Sequence, residues 1–401
     1  MNPAPVVPSG RRIAVETGNG GRGPVADLSH RVGDTSTHGA PGGRHRPPPD
    51  PLPASRRCAF RLPLAPLLTV MALVLIASVV MSLAFGAERV PVGEVWEAVR
   101  GRLSGQPLGD SRDIIVWDLR LPRALLAVTV GAGLAISGVS MQTLVRNPLA
   151  DPYLLGVSAG ASAGAAAALT IGAFAGFGAS ALQVGALTGA LAASFTVYAV
   201  ARAQGGLTPI RLVLSGVVLS AGFAALASFL VFVSDQPRAA EQVMFWMLGS
   251  VARAQFSGLL VPAVATVVAL SAMLAVHGWL DALVSGDDAA SSLGVPVGAV
   301  RTGLFVLQGV LVGLLVAAAG GIGFVGLIIP HAARLLVGGS HRRLLPVAAL
   351  SGGLFLLWVD VLSRVVAAPQ EMPLGVVTGI IGAPVFLLLL GRRRYSFGSE
   401  R

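Results

Sequence analysis

The stretch that decides the fold is RLPRALLAVTVGAGLAISGVSMQTLVRNPLADPYLLGVSAGASAG, residues 120–164. Two arginines flank a proline at its start, and 22 uncharged residues follow from Ala124 to Val145. The polar turn Arg146-Asn147-Pro148 then separates this run from a second apolar segment rich in glycine, alanine and serine. A membrane-spanning helix needs about 20 apolar residues. The pattern therefore predicts two membrane helices joined by a sharp turn at one membrane face.

The composition of the whole chain agrees with a membrane protein. Of its 401 residues, 54% are hydrophobic and 12% are charged, whereas soluble proteins carry about 25% charged residues. The formal net charge is +10. The arginines lie in the N-terminal region and between apolar runs, which is typical of segments retained on the cytoplasmic side. They form no separate basic face, so we expect no nucleic-acid partner.

The basic residues and the cysteine exclude several chemistries. All 29 basic residues are arginine, so the chain lacks the lysine of a G-x-x-x-x-G-K-[ST] phosphate loop and any Schiff-base lysine. The single cysteine, Cys58, excludes an internal disulfide and a multi-cysteine metal site. His331 has no ligand-like neighbours in the sequence, so we predict no metal site and no cofactor bound by this chain.

The chain divides into three regions. Residues 1–60 are rich in arginine, proline and glycine and hold few large apolar residues. Such a segment cannot bury enough apolar surface to fold, so we expect a disordered cytoplasmic extension, with a true start further downstream as the alternative. Residues 61–395 are the predicted transmembrane domain, and residues 396–401 are a cytoplasmic tail.

The uncharged runs predict an all-α polytopic protein with ten transmembrane helices and both termini cytoplasmic. The helices are predicted at 62–87, 124–145, two within 152–201 that turn near 172–178, 212–234, 254–280, two within 302–333 with irregular backbone at 320–323, 345–366 and 372–391. A short amphipathic helix at 90–97 is predicted to lie at the membrane interface. The polar segment 281–301 is predicted to be cytoplasmic.

One carboxylate, Asp360, lies clearly within an apolar run, four residues before Arg364. Residues at this spacing share a helix face and can pair. A neutralising ion pair is the favoured interpretation, and a proton-relay carboxylate is the alternative. The 51 glycines indicate closely packed membrane helices.

Four blocks of sequence carry a resemblance to a known family. They are the run from Leu119 to Ser162, then SGDDAASSLGV, GGIGFVGLIIPHAARLLVGGSHRRLLP and PLGVVTGIIGAPVFLLLL, in that order. Together they resemble the permease subunits of ABC importers for iron-siderophore, haem and cobalamin, the FecCD-like family. The resemblance covers about residues 64–395. It implies a dimer of ten-helix permeases, two copies or a copy with a paralogue, with ATPase subunits docked inside and a substrate-binding protein outside.

The resemblance also implies three groups of site residues. They are Arg120, Arg123 and Arg364 for docking of the binding protein; Asn147, Leu149 and Thr208 for the cytoplasmic gate; and Gly286, Asp287, Asp288, Leu293 and Gly294, within coupling helices at 281–299, for contact with the ATPase. Pro209 and Ile210 beside Thr208 depart from the family's Ser/Thr-rich pattern.

The expected function is therefore uptake of a ferric siderophore through a bacterial plasma membrane, with ATP hydrolysed by a partner subunit and not by this chain. Import of haem or cobalamin is the alternative cargo. A proton-coupled secondary transporter working alone is the alternative of another class. A membrane-embedded enzyme would need a nucleophile–base or metal constellation at membrane depth, and none is found in the sequence.

Overall fold

The computed structural model describes residues 63–86, 88–106 and 109–391, with side chains described as far as residue 389. The described part of the chain forms helices and contains no strand. The predicted disordered extension 1–60 and the predicted tail 396–401 lie outside the described residues.

The first helices surround the stretch quoted above. They are α1 Leu64–Ala84, α2 Val92–Leu103, α3 Ser111–Asp113 and α4 Leu121–Val145, with a π-helical segment Ile114–Arg120 leading into α4. The predicted helices 62–87 and 124–145 are confirmed, with ends shifted by three residues or fewer. The amphipathic helix is longer than the predicted 90–97, because α2 continues to Leu103.

The 50-residue apolar segment after the turn folds as two helices, as predicted. They are α5 Val157–Thr170 and α6 Ala181–Ala203, and α7 Pro209–Phe232 and α8 Ala239–Met247 follow. A 3-10 turn, Pro152–Leu155, precedes α5, and a second, Ala175–Ser180, separates α5 from α6. The short helix α8 was not predicted.

The next part of the chain corrects one predicted helix. It contains α9 Phe256–Ala275, α10 His277–Val284, α11 Asp287–Ser292 and α12 Val297–Ala319. The single helix predicted at 254–280 is wrong at its end, because Val276 (φ −107°, ψ 17°) leaves the helical region and starts α10. The uncharged run continues through Val276 to Leu280, so the absence of charge alone does not reveal this break. Arg301, predicted as the last residue of the polar segment before the helix, belongs to the start of α12.

The last helices are α13 Val325–Val337, α14 His341–Val365 and α15 Leu374–Gly391. The irregular backbone predicted at 320–323 is confirmed: Gly320 has φ 71° and Phe324 has φ 68°, and α13 starts only after Phe324. The helix α14 begins four residues earlier than predicted and includes His341.

The predicted spans are accounted for in the described residues. Seven helical segments there are long and apolar enough to cross a membrane. Three shorter apolar helices, α5, α13 and α15, occupy the remaining predicted positions. The chain is therefore a polytopic helical membrane protein.

The helix α4 lies at the centre of the bundle, in contact with α1, α9, α12, α13 and α14. Glycines permit this close approach. A Cβ on Gly131 would overlap the carbonyl of Gly352 on α14, and a Cβ on Gly138 would overlap the carbonyl of Gly326 on α13. Small residues at such contacts let helix backbones pack directly in membranes. Glycine is therefore required at the two places where α4 meets α13 and α14.

Candidate functional site

Three arginines meet at the end of the bundle where α1 and α14 finish and α4 begins. Arg120, Arg123 and Arg364 are 8%, 7% and 5% exposed. These are the three residues predicted to dock a binding protein. The structure therefore brings them together, but buries most of each side chain in the single chain.

Arg123 is bonded to two carboxylates. Its Nε donates to Asp360 Oδ1 at 2.8 Å, and its Nη1 donates to Glu371 Oε1 and Oε2 at 2.8 and 2.9 Å. Asp360 is fully buried, and Arg364 Nη2 lies 3.2 Å from its Oδ2. This last contact is an ion pair without hydrogen-bond alignment. The predicted Asp360–Arg364 pair is thus confirmed, but the second arginine at Asp360 was not predicted.

The other two arginines bind backbone carbonyls in the last turn of α1 and in the residues that follow it. Arg120 donates through Nη1 to Leu83 O at 2.6 Å and through Nη2 to Glu88 O. Arg364 Nη1 donates to Phe85 O at 2.9 Å. The last carbonyls of a helix have no partner within the helix and attract positive charge. These arginines therefore satisfy the end of α1, whatever else they contact.

Arg123 differs from Arg120 and Arg364 because one of its carboxylate partners is exposed to solvent. Its partner Glu371 has a side chain 45% exposed, so solvent reaches this ion pair. The docking role of the three arginines stays a prediction.

The opposite end of α4 carries the turn predicted as a gate. Arg146 adopts a left-handed conformation (φ 54°) and ends α4. The Asn147 side chain then accepts a hydrogen bond from the backbone N of Leu149 at 2.9 Å, a local bond that stabilises turns. Leu149 is 36% exposed. The turn is therefore built by its own residues, with an apolar side chain at its surface.

Thr208, predicted for the other half of the gate, lies at the start of α7. It is the N-cap residue, and Pro209 occupies the first helical position. Its hydroxyl is buried and has no hydrogen-bond partner among the described residues. The gate role of Thr208, like that of Asn147 and Leu149, stays a prediction.

The predicted coupling segment 281–299 includes the second half of α10, all of α11 and the first residues of α12. Gly286 (φ 115°) and Gly294 (φ 77°) bound α11 in conformations that favour glycine. One side of α11 is buried through Ala290, and Leu293 beyond its end is 72% exposed. The coupling role of this segment stays a prediction.

A cavity of about 820 Å³ lies between α5, α7 and α8. Its polar lining consists of Ser158, Ser162, Ser220, Ser228 and Tyr153, and no charged residue lines it. The Tyr153 hydroxyl is fixed by Ile322, donating to its carbonyl and accepting from its N, both at 3.1 Å.

These cavity residues were not singled out from the sequence. The sequence contained one signal: Ser158 and Ser162 are four residues apart, which places them on the same face of α5. Only the tertiary structure shows that this face packs against α7 and α8. Within the described residues, no group of three or more His, Cys, Asp and Glu could hold a metal ion.

Comparison with known families gives one match over most of the chain. The model of the FecCD transport family matches residues 74–392. This range contains the arginine cluster, the turn after α4, the coupling segment and the cavity.

Similar curated proteins and a solved structure agree with that match. The cobalamin import system permease protein BtuC of Halobacterium salinarum is 41% identical over 71% of this chain and 75% of its own length. The hemin transport system permease protein HmuU of Yersinia pestis is 38% identical over 70% and 84%. A solved ABC transporter, described as of metal-chelate type and inward-facing, has TM-score 0.72 and 33% identity, covering 82% of this chain and 100% of that one.

Proposed function

The chain belongs to the FecCD transport family, and we propose that it moves an intact ferric-siderophore chelate across the membrane. It is the membrane-spanning permease subunit of an ABC importer. A separate ATPase drives it from the cytoplasmic side, and a substrate-binding protein delivers the chelate outside. A second permease copy or a paralogue completes the path, and both termini face the cytoplasm of a bacterial cell.

The observation that favours a chelate over a free cation is the lining of the cavity between α5, α7 and α8. Its polar groups are hydroxyls, from four serines and Tyr153. Proteins hold a bare transition-metal ion mainly through carboxylate, imidazole or thiolate ligands. A chelate brings its own ligands and needs only shape, apolar contact and a few hydrogen bonds. The lining therefore supports an intact chelate as cargo rather than a free cation.

The absence of a lysine phosphate loop supports ATP hydrolysis by a partner subunit as the source of energy. Without lysine the chain cannot form a G-x-x-x-x-G-K-[ST] loop. The exposed Leu293 at the end of α11 provides a contact for an ATPase on the membrane face that carries the coupling segment. A cytoplasmic position for that segment also agrees with the arginines around it.

The test is uptake into liposomes that contain the permease with its cognate ATPase and binding protein. We expect ATP-dependent, saturable uptake of a ferric hydroxamate or ferric catecholate, and none of free Fe³⁺ or Mn²⁺. Uptake of hemin or cobalamin without uptake of either ferric siderophore would show that hemin or cobalamin is the cargo. Uptake by the purified chain alone, driven by a pH gradient, would overturn the assignment to an ATP-driven importer.

A pair of variants tests the cavity. Ser228→Phe places a ring in the cavity and should reduce chelate uptake at least about tenfold. Thr69→Phe adds the same ring at an exposed position on α1, away from the cavity lining, and should leave uptake within about twofold. Equal uptake by both variants would remove the cavity from the transport path.

A further inference from the structure

Two chains of polar contacts join the coupling segment to the last turn of α4. The first starts at Asp287, in the first turn of α11. Arg301 at the start of α12 donates through Nη2 to Asp287 Oδ1 at 2.6 Å, and Arg301 is 5% exposed. Arg146 Nη1 lies 3.6 Å from the same oxygen. Asp287 thus joins a buried arginine of α12 to the residue that ends α4.

The second chain of contacts starts at Asp281 on α10. Its Oδ1 accepts a hydrogen bond from the backbone N of His341 at 2.9 Å and lies 2.6 Å from His341 Nδ1. His341 Nε2 lies 2.8 Å from Thr143 Oγ1, in the last turn of α4. His341 and Thr143 are both buried, at 1% and 0% exposure.

This second chain of contacts persists in either protonation state of His341. In the neutral ring, Nδ1–H donates to Asp281 and the Thr143 hydroxyl donates to Nε2. In the charged ring, both nitrogens donate and the Thr143 hydroxyl donates to Val139 O, which lies 2.8 Å away. The contact between α10 and α4 therefore does not depend on one arrangement of protons.

The two chains of contacts differ in strength. His341 and Thr143 are buried, although the Asp281 side chain is 38% exposed, so removing Thr143 or Asp281 leaves a buried polar group of His341 unpaired, which is costly. The Arg146–Asp287 pair is partly exposed, with side chains 33% and 40% accessible, and exposed ion pairs contribute little to stability. The His341 contacts can serve as a permanent attachment, and the Arg146–Asp287 pair can open and close at little cost.

We infer that the Arg146–Asp287 pair is a reversible contact that transmits movement of the coupling segment to the turn at Asn147. Arg146 directly precedes Asn147, and Thr143 lies one helical turn earlier, so both attachments act on the end of α4. Movement of α11 pulls on Arg146, while Asp281 and His341 keep α10 fixed to the same helix. Arg146 is then a positioning residue for the gate. The inference rests on the proposed function, because transmission matters only if an ATPase acts on this segment.

The test measures ATP hydrolysed per chelate transported in the complete transporter. Arg146→Gln should raise this ratio at least about fivefold, and Arg146→Lys, which keeps the charge, should stay within about twofold of the wild type. The Arg146→Gln, Asp287→Asn double variant should be no worse than the worse single variant, because both remove one contact. Arg342→Gln is the control, since Arg342 is exposed on the same membrane face.

A second measurement needs no partner. In a Cys58→Ser background, nitroxide labels at Ser291→Cys on α11 and Leu149→Cys in the turn report the distance between the two elements. We expect Arg146→Gln to broaden the distance distribution in the purified permease, and Arg342→Gln to leave it unchanged.

The outcomes separate the two proposals. An unchanged coupling ratio in Arg146→Gln, additive effects in the double variant, or an unchanged distance distribution would each overturn the inference. Transport by wild-type permease without an ATPase would instead overturn the proposed function. A broadened distribution with a normal coupling ratio would make the pair a static brace, which also contradicts the inference.

Discussion

Arg123 Nε lies 2.8 Å from Asp360 Oδ1, which joins the first turn of α4 to the last part of α14 across 237 residues of sequence. Arg364 faces the other oxygen of the same carboxylate. One fully buried carboxylate therefore serves two guanidinium groups. The end of the bundle that is predicted to receive the binding protein is also the end held together by this ion cluster.

Loss of Asp360 should destabilise the protein strongly. Asp360→Ala leaves Arg123 and Arg364 without their buried carboxylate, and breaking a buried ion pair in this way costs about 3–5 kcal/mol. We expect a clear fall in the midpoint of thermal unfolding in detergent. Glu371→Ala is the control, because Glu371 is 45% exposed and exposed pairs contribute about 0–1 kcal/mol. Equal losses in the two variants would contradict a central role for Asp360.

Glu371→Gln should strengthen docking of the binding protein, if Arg123 is a docking residue. Glu371 holds Arg123 Nη1 at 2.8 Å, so a carboxylate from the binding protein must compete with it. We expect at least about fivefold tighter binding, measured with permease in nanodiscs. Because Glu371 is exposed to solvent, we expect added salt to reduce this gain in affinity. Glu97→Gln on α2, also exposed, is the control.

Unchanged affinity in Glu371→Gln would count against docking at Arg123. Charge reversal of Arg123 is a poorer experiment, because a carboxylate there would face Asp360 and Glu371. Any loss of docking in that variant would be confounded with loss of the fold.

Gly138→Ala should destabilise the packing of α4 against α13. The added Cβ overlaps the carbonyl of Gly326, and overpacking of this kind costs about 1–3 kcal/mol. Gly222→Ala on α7 is the matched control, since a Cβ there meets no atom within 4 Å. Helix propensity predicts a neutral or slightly stabilising effect for that change. Thermal unfolding in detergent compares the two variants, and equal midpoints would contradict the packing argument.

Leu293→Glu should weaken attachment of the ATPase. Leu293 is 72% exposed beyond the end of α11, so the change leaves the permease core intact and removes an apolar contact from the proposed interface. We expect at least about tenfold less ATPase in co-purification. Gln204→Glu adds the same charge at an exposed position after α6, outside the coupling segment, and should retain the partner. Normal co-purification of Leu293→Glu would exclude this leucine from the interface.

Patterns within one or two helical turns were readable in the sequence. The Asp360–Arg364 pair was predicted because its two members are four residues apart on one helix. The break before α13 was predicted because glycines interrupt an apolar run. The break at Val276 was missed because the residues continue uncharged through it to Leu280.

The sequence by itself determined that the chain crosses a membrane many times, where most spans lie and that it cannot form a lysine phosphate loop. Length, hydropathy and residue type are properties of continuous segments, so they need no knowledge of packing. Only the tertiary structure decided that Asp360 also binds Arg123, that Asp287 joins Arg146 to Arg301 and that the serines of α5 and α7 line one cavity. These contacts join residues on different helices, and helix packing alone sets which faces meet.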